Sequence, residues 1–207
     1  QVGLGVKVSA VSTEFEQGEL TASTGDFDFA IQGNGFFMIE MPDGTTGYTR
    51  NGNFLMAINP NGGTTLTTAD GYSVLDSNGK AITFDAATDT TRLSFDNYGN
   101  IFYKNAQGVI QPTGVRIGAA QFNNPSGLTK LGDSYFAESA ASGNARIEGQ
   151  DAALSVSVIK NGYLEASSVQ AVDEMVDMIV TQRAYEMNSK AITASDEMLQ
   201  QANNLRS

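Results

Sequence analysis

The sequence contains no cysteine and no histidine. The first absence excludes disulfides, thiolate metal sites, iron–sulfur clusters and cysteine nucleophiles. The second removes the imidazole base, the commonest zinc ligand and the Ser–His triad. Cations are scarce as well: 12 Lys and Arg against 23 Asp and Glu give a net charge of −11. Binding a polyanion needs clustered cations, so nucleic acid is not an expected partner. Charged residues make up only 17% of the chain, against roughly 25% in ordinary globular domains. No apolar run approaches the roughly 18–20 residues of a membrane span, and no membrane insertion is expected. What remains is 207 residues, 41% of them hydrophobic, long enough for one large domain or two small ones with a sizeable core.

Glycine and proline divide what is there. All 22 glycines and all 4 prolines precede Tyr163, and none follows Gly162. Backbone-breaking residues are dense in one part and expelled from the other, so the two parts should differ in secondary structure.

The first part reads as β. Seven Asn-Gly or Asp-Gly dipeptides punctuate it: 34–35, 43–44, 51–52, 61–62, 70–71, 78–79 and 161–162. These residues tolerate the positive φ of tight turns, so several are expected to be hairpin tips. Between them lie short runs rich in β-branched and aromatic residues: Val2–Val8, Phe27–Ile31, Phe36–Met41, Gly47–Thr49, Leu66–Thr68, Arg92–Phe95, Ile101–Tyr103, Val115–Phe122, Tyr135–Ala137 and Leu154–Ile159. Alternation in several of them implies an irregular, mostly antiparallel β domain with one wet face on many strands.

The last part reads as one helix. Val176, Val180, Ala184, Met187, Ala191, Ala194, Met198, Ala202 and Leu205 form a stripe with the 3.6-residue period of a straight α-helix. Val172, Met175, Ile179, Ile192 and Leu199 widen it. Ser167 or Ser168 is placed to cap its start, with Asp173 and Glu174 near the positive end of the dipole. From Val169 to Asn203 it would run roughly 52 Å. A helix of that length is expected to bury its stripe against another helix or another chain, and the rest of the sequence offers no second helical stretch of similar length.

Candidate chemistry is thin. Asp26/Asp28, Asp85/Asp89 and Asp173/Glu174/Asp177 could be paired for acid–base work, as in a carboxylate-based hydrolase, but read as turn residues or a solvated helix face. Asp76-Ser-Asn-Gly79 and Asp96-Asn-Tyr-Gly99 resemble calcium loops without the later acidic ligand. Gly33-Asn-Gly-Phe36 lacks the rest of a phosphate loop. The Ser, Thr, Asn and Tyr content would also suit an extracellular glycan-binding β domain, although nothing aligns two aromatic rings as a platform. No catalytic, cofactor-binding or metal-ligating residue is assigned, and no cofactor is expected.

Two segments at opposite ends carry a resemblance. Phe29-Ala-Ile-Gln-Gly-Asn-Gly-Phe-Phe37, followed by Tyr48-Thr-Arg-Asn-Gly-Asn-Phe54, is the first. Gly162-Tyr-Leu-Glu-Ala-Ser-Ser-Val169, continuing through Gln182-Arg-Ala-Tyr185 and Lys190, is the second. In this order, and joined to a glycine-free terminal helix, they resemble the rod–hook family of bacterial flagellar axial proteins. The motif residues are Gly33, Gly35, Phe36, Phe37, Tyr48, Arg50, Gly162, Leu164, Glu165, Gln182, Arg183 and Tyr185. Ser168 departs from the family's usual Asn. The helix sequence is nearest the distal members of the rod, with the proximal members as the alternative, and the modest central region argues against the hook protein.

The resemblance implies a structural subunit, not an enzyme, that self-assembles into a helical tube transmitting torque. It implies partners among other rod subunits, the hook protein and surrounding ring proteins. It also implies delivery through the flagellar export channel. Because the chain starts at Gln1 and not at Met, the family's N-terminal helix is expected upstream, as partner for the stripe. The residues expected to pack between subunits are Val172, Val176, Ile179, Val180, Met187, Ala191, Met198 and Leu205. The expected division is a β neck over 1–28 with 150–168, an outer β domain over 29–149 and a rod helix over 169–207. At −11 per subunit, assembly is expected to be favoured by moderate salt, which screens over about 8 Å at physiological strength.

Overall fold

The computed structural model describes residue 7 and residues 13–59, 62–86, 88–105, 107–151 and 154–204. The expected strand over Val2–Val8, Asn61 of one turn and Leu205 of the stripe lie outside the described residues. The chain divides into two compact units, 1–166 and 167–207.

The first unit is built of short strands: β1 (Leu20–Ala22), β2 (Phe29–Gln32), β3 (Phe36–Glu40), β4 (Thr46–Thr49), β5 (Phe54–Ile58), β6 (Thr64–Thr68), β7 (Thr83–Phe84) and β8 (Leu93–Phe95). It continues with β9 (Asn100–Lys104), β10 (Ile110–Arg116), β11 (Ala119–Gln121), β12 (Thr129–Gly132), β13 (Tyr135–Ala137), β14 (Arg146–Ile147), β15 (Val158–Asn161) and β16 (Tyr163–Glu165). They form a six-stranded sheet in the order β12–β13–β4–β3–β11–β14, three-stranded sheets β10–β9–β8 and β5–β6–β7, and pairs β1–β16 and β15–β2. Every pairing between these strands is antiparallel.

Strand β3 separates two hydrophobic cores. Because side chains alternate across a strand, Phe37 joins Phe29, Ile31, Phe54, Leu66 and Ile117 on one side. Phe36 and Met38 join Tyr48, Leu75, Phe122 and Leu128 on the other. The neighbouring strand makes room with small residues: Ala119 lies opposite Phe37 and Ala120 opposite Phe36. Edge-on aromatic contacts fill both cores, such as Phe37–Phe54 at 5.1 Å and Tyr48–Phe122 at 4.8 Å. The expectation of a wet face therefore fails at β2, whose Phe29, Ala30 and Ile31 are all buried, and in β3, where the sequence is apolar without alternation, Phe36 to Ile39 are buried too. Sheets on either side of these strands leave no solvent for an outward row.

The run 115–122, expected as one strand, is two. The β9–β10 register breaks between Pro112 and Arg116, and Gly118 presses so closely on the carbonyls of Leu75 and Asp76 that a Cβ there would stand 2.6 Å from the Asp76 oxygen. The late strand lies at Val158–Asn161, starting inside the expected run 154–159 and ending two residues beyond it, and pairs with β2.

The second unit is one α-helix, α1 (Ala171–Asn204), 34 residues long. Asp173 and Glu174 occupy its first turn as expected. Neither serine caps that turn. Ser167 Oγ instead accepts from the Val169 amide (3.2 Å), and the Gln170 carbonyl accepts the first helical hydrogen bonds. Among the described residues of its own unit the helix has no second element against which to bury Val172, Val176, Ile179, Val180, Met187 or Met198, and all six are exposed.

Candidate functional site

The two family-like segments, far apart in sequence, meet around one guanidinium. Arg50 follows directly on β4, and Glu165 ends β16. Arg50 Nε donates to Glu165 Oε2 at 2.9 Å and an Nη2 hydrogen goes to Oε1 at 3.2 Å, a two-point ion pair. The two side chains are only 16% and 11% exposed. The remaining donors go to backbone carbonyls: Nη1 to Gly33 (3.0 Å) and Gly35 (3.1 Å), and Nη2 to Ile31 (3.4 Å). All five N–H groups of the guanidinium are thus engaged, which suits a structural clasp and leaves no donor for a ligand. The Phe36 ring lies 5.7 Å from the Arg50 carbon.

The loop that Arg50 grips is held by Gln17 as well. Gln17 donates from Nε2 to the Ile31 carbonyl (2.6 Å) and accepts from the Gly33 amide (3.1 Å). Glu165 also accepts from the Gly18 amide (2.9 Å). Behind the loop sits the buried carboxylate of Glu148, which accepts from the Ser157 amide (2.8 Å), the Ser157 hydroxyl (2.7 Å) and Gln121 Nε2 (2.8 Å). A Cβ on Gly35 would stand 2.7 Å from Glu148 Oε1, and one on Gly33 2.7 Å from Ser157 Oγ. Gly33 also has φ +137°, so both glycines are required by their surroundings.

Three of the seven Asn-Gly or Asp-Gly dipeptides belong to this neighbourhood, and none of the three is a hairpin tip. Residues 34–35 hand the chain from β2 to β3, 51–52 from β4 to β5, and 161–162 from β15 to β16, each time between different sheets. At Gly52 the reason is proximity, since an added Cβ would fall 1.8 Å from the Phe29 carbonyl oxygen. The turns at Gly44, Gly62, Gly71 and Gly79 do reverse the chain, with φ between +77° and +91°.

The remaining motif residues fall as follows. Phe36 and Phe37 are buried in the two cores, and Tyr48 is buried beside Phe122. Burial pushes the Tyr48 phenol up to about 12, with the Glu138 charge adding to the shift. Gly162 turns with φ +76° and Leu164 pairs with Thr21. Gln182, Arg183 and Tyr185 are exposed on α1, where Arg183 pairs with Glu186 at 3.1 Å.

Of the acidic candidates, Asp28, Asp76, Asp89 and Asp96 are occupied locally. Asp76 Oδ1 accepts from the amides of Asn78 and Lys80, and Asp96 Oδ1 from those of Tyr98 and Asn100. For Asp96, burial works against the charge, but the side-chain and backbone hydrogen bonds of Asn100 and Tyr98 prevail and hold the carboxyl below its usual range. Asp89 caps a short 3₁₀ turn through Thr91, and buried Asp28 accepts from Ser23 and Asn53. The residues that sequence reasoning did not single out are Gln17, Gly18, Gln121, Glu148 and Ser157. Only Gln121 of these lies in a strand, and none stands in a local pattern that would have marked it.

Comparison with known proteins agrees with this geometry. A family model described as flagellar hook protein FlgE/F/G D1 domain matches residues 30–103, and one described as flagellar basal body rod FlgEFG protein C-terminal matches residues 160–205. Arg50 lies in the first match and Glu165 in the second. The chain is 41% identical over 207 residues to the flagellar basal-body rod protein FlgG of Bacillus subtilis, covering all of this chain and 75% of that one. It is 39% identical to the FlgG of Borreliella burgdorferi and 40% identical to that of Caulobacter vibrioides, covering 100% of this chain each time and 74% and 75% of theirs. Likeness to the flagellar hook protein FlgE of Borreliella burgdorferi, 37% identical, spans 57% of this chain and 29% of that protein. The chain belongs to the flagellar basal-body rod proteins of the FlgG type, the distal-rod branch of the family to which its two terminal segments already pointed.

Proposed function

We propose that this subunit self-assembles into the helical tube of the distal rod and carries torque to the hook, with the apolar residues of α1 as its inter-subunit surface. Val172, Val176, Ile179, Val180, Met187, Ala191, Met198 and Leu205 pack against helices of neighbouring molecules. Each large apolar side chain buried there contributes about 1.5–3 kcal/mol. Repeated head-to-tail, such contacts extend into an open filament. The β strands form the outer wall, divided into a neck over 1–28 with 150–168 and an outer domain over 29–149. Other rod subunits, the hook protein and ring proteins are its partners, the export channel delivers it, and it has no catalytic role. One observation carries this reading: a 34-residue helix forms a unit of its own whose apolar side chains have no partner among the described residues of that unit.

The chain's lack of cysteine permits a direct test. Val180→Cys, expressed in flagellated cells, is expected to give a cross-linked dimer with a short bis-maleimide, its single thiol joining one neighbour, whereas Asn78→Cys, at an exposed turn of the β unit, gives none. Val180→Asp is expected to abolish swimming while the subunit remains folded and exported. A motile Val180→Asp strain, together with a Val180→Cys variant that forms no cross-links, would refute the helix as the assembly surface.

A further inference from the structure

The β1–β16 pair is a weak joint by its geometry. It is a two-stranded ladder of three residue pairs, with Leu20 opposite Glu165 and Ala22 opposite Tyr163. Two-stranded ladders are marginal on their own. Being antiparallel, its strands meet at a fork. The chain enters at Glu19 and leaves at Ala166 on the same side, where the Ala166 amide donates to the Glu19 carbonyl (2.9 Å). Tension between the two ends of the chain would load such a ladder one hydrogen bond at a time, as a zip opens. The chain leaving this fork runs within five residues into α1.

The fork is also where the clasp sits. The outgoing prong is pinned by Glu165 to Arg50, and the incoming prong by Gln17. Both attachments end on the same loop, at the carbonyls of Ile31, Gly33 and Gly35 and the amide of Gly33. That loop leads straight into Phe36 and Phe37, one in each core. Load arriving at either prong is thereby passed to the interior of the unit before the ladder is pulled.

We propose that Arg50, Glu165 and Gln17 form a mechanical latch that holds the β1–β16 fork shut against tension along the chain. The latch converts a ladder that would unzip into one that yields only when the cores yield. The inference concerns single molecules and does not require polymerisation, so it stands or falls separately from the assembly reading.

The test is to stretch the whole chain in optical tweezers, with handles at its two termini, and to follow amide exchange of β1 and β16 without load. Forced opening reports the barrier along the pulled coordinate. The unmodified chain is expected to open its β unit in one rip. Glu165→Gln keeps the side-chain shape and loses the ion pair; it should add an early, low-force release of the fork and speed exchange in β1 and β16 by about tenfold. Gln17→Ala, which removes a neutral and exposed side chain, should give a smaller early release and cover the case in which Glu165→Gln does not fold. Ile82→Val, a core change away from the fork, should lower the rip force without an early step. The proposal is overturned if every folding variant of the latch opens in a single rip, or if Ile82→Val produces the same early release.

Discussion

The two units follow opposite rules for apolar residues. In the strands, Phe29, Ile31, Phe37, Leu66 and Ile117 are fully buried, and the glycines among them are fixed by contacts and backbone angles. In α1, Val172 is 71% exposed and Met187 65%, with no glycine or proline to interrupt the helix. The same side-chain types thus stabilise the subunit in one region and lie exposed in the other, where the proposed assembly would use them. Substitutions should therefore separate cleanly into those that unfold the subunit and those that leave it folded but solitary.

The largest effect is expected at Gly52. Alanine there would place a methyl group 1.8 Å from the Phe29 carbonyl, and the two sheets would have to part. Gly52→Ala should lower the urea midpoint by the equivalent of about 3 kcal/mol or more. Gly71→Ala, at a turn with open space around it but φ +88°, should cost about 1–2 kcal/mol. Gly52 lacks the positive φ of Gly71, so equal costs at the two positions would mean that the close approach to the Phe29 carbonyl is relieved without parting the two sheets.

A middle-sized effect is expected in alkali. Burial pushes the phenols of Tyr48 and Tyr135 up to about 12, with the Asp70 carboxylate bonded to Tyr135 adding to its shift. Their neutral forms are favoured in the folded state. The stability they contribute is complete below the ordinary tyrosine value near 10 and is lost as pH rises through about 12. Denaturant midpoints should fall over that interval, and Tyr48→Phe should flatten part of the fall. An unchanged slope in Tyr48→Phe would place the titration elsewhere.

The smallest effect on stability is expected from the helix. Val180→Asp should move the thermal midpoint of the β unit by the equivalent of less than about 0.5 kcal/mol, as for exposed sites in general, while removing assembly. A large drop in midpoint would show that α1 stabilises the subunit internally and would erase the contrast between the units.

The sequence disclosed these regions unevenly. The helix was legible to within two residues at its start, because a 3.6-residue period without breakers has one physical meaning. Most aromatic and β-branched runs became strands. Strand β10 was anticipated only at its end, from Val115; its earlier part holds Pro112 and Gly114, which an edge strand with a register shift tolerates. The dipeptides at 34–35, 51–52 and 161–162 looked like hairpin tips because local chemistry sets the turn, whereas tertiary packing decides which sheet the chain enters next. The clasp was half legible. Both motifs were visible, but a pairing between Arg50 and Glu165, 115 residues apart, leaves no local trace. Glu148 and its partners lie between the two family-like segments, and only the folded chain shows why Gly35 has no room for a side chain.

Strand β3 carries a final consequence. In a strand with one wet side, sliding by one position throws oily groups into water and the error corrects itself. Here a slip would merely exchange Phe36 and Phe37 between two equally dry compartments. Solvent is therefore a poor proofreader of this strand's alignment. The task passes to its two ends: to carbonyls that must arrive within reach of Arg50, and to the Asp43 carboxylate that receives the Thr45 amide. Errors of threading in this protein should trace to its loops, not to its grease.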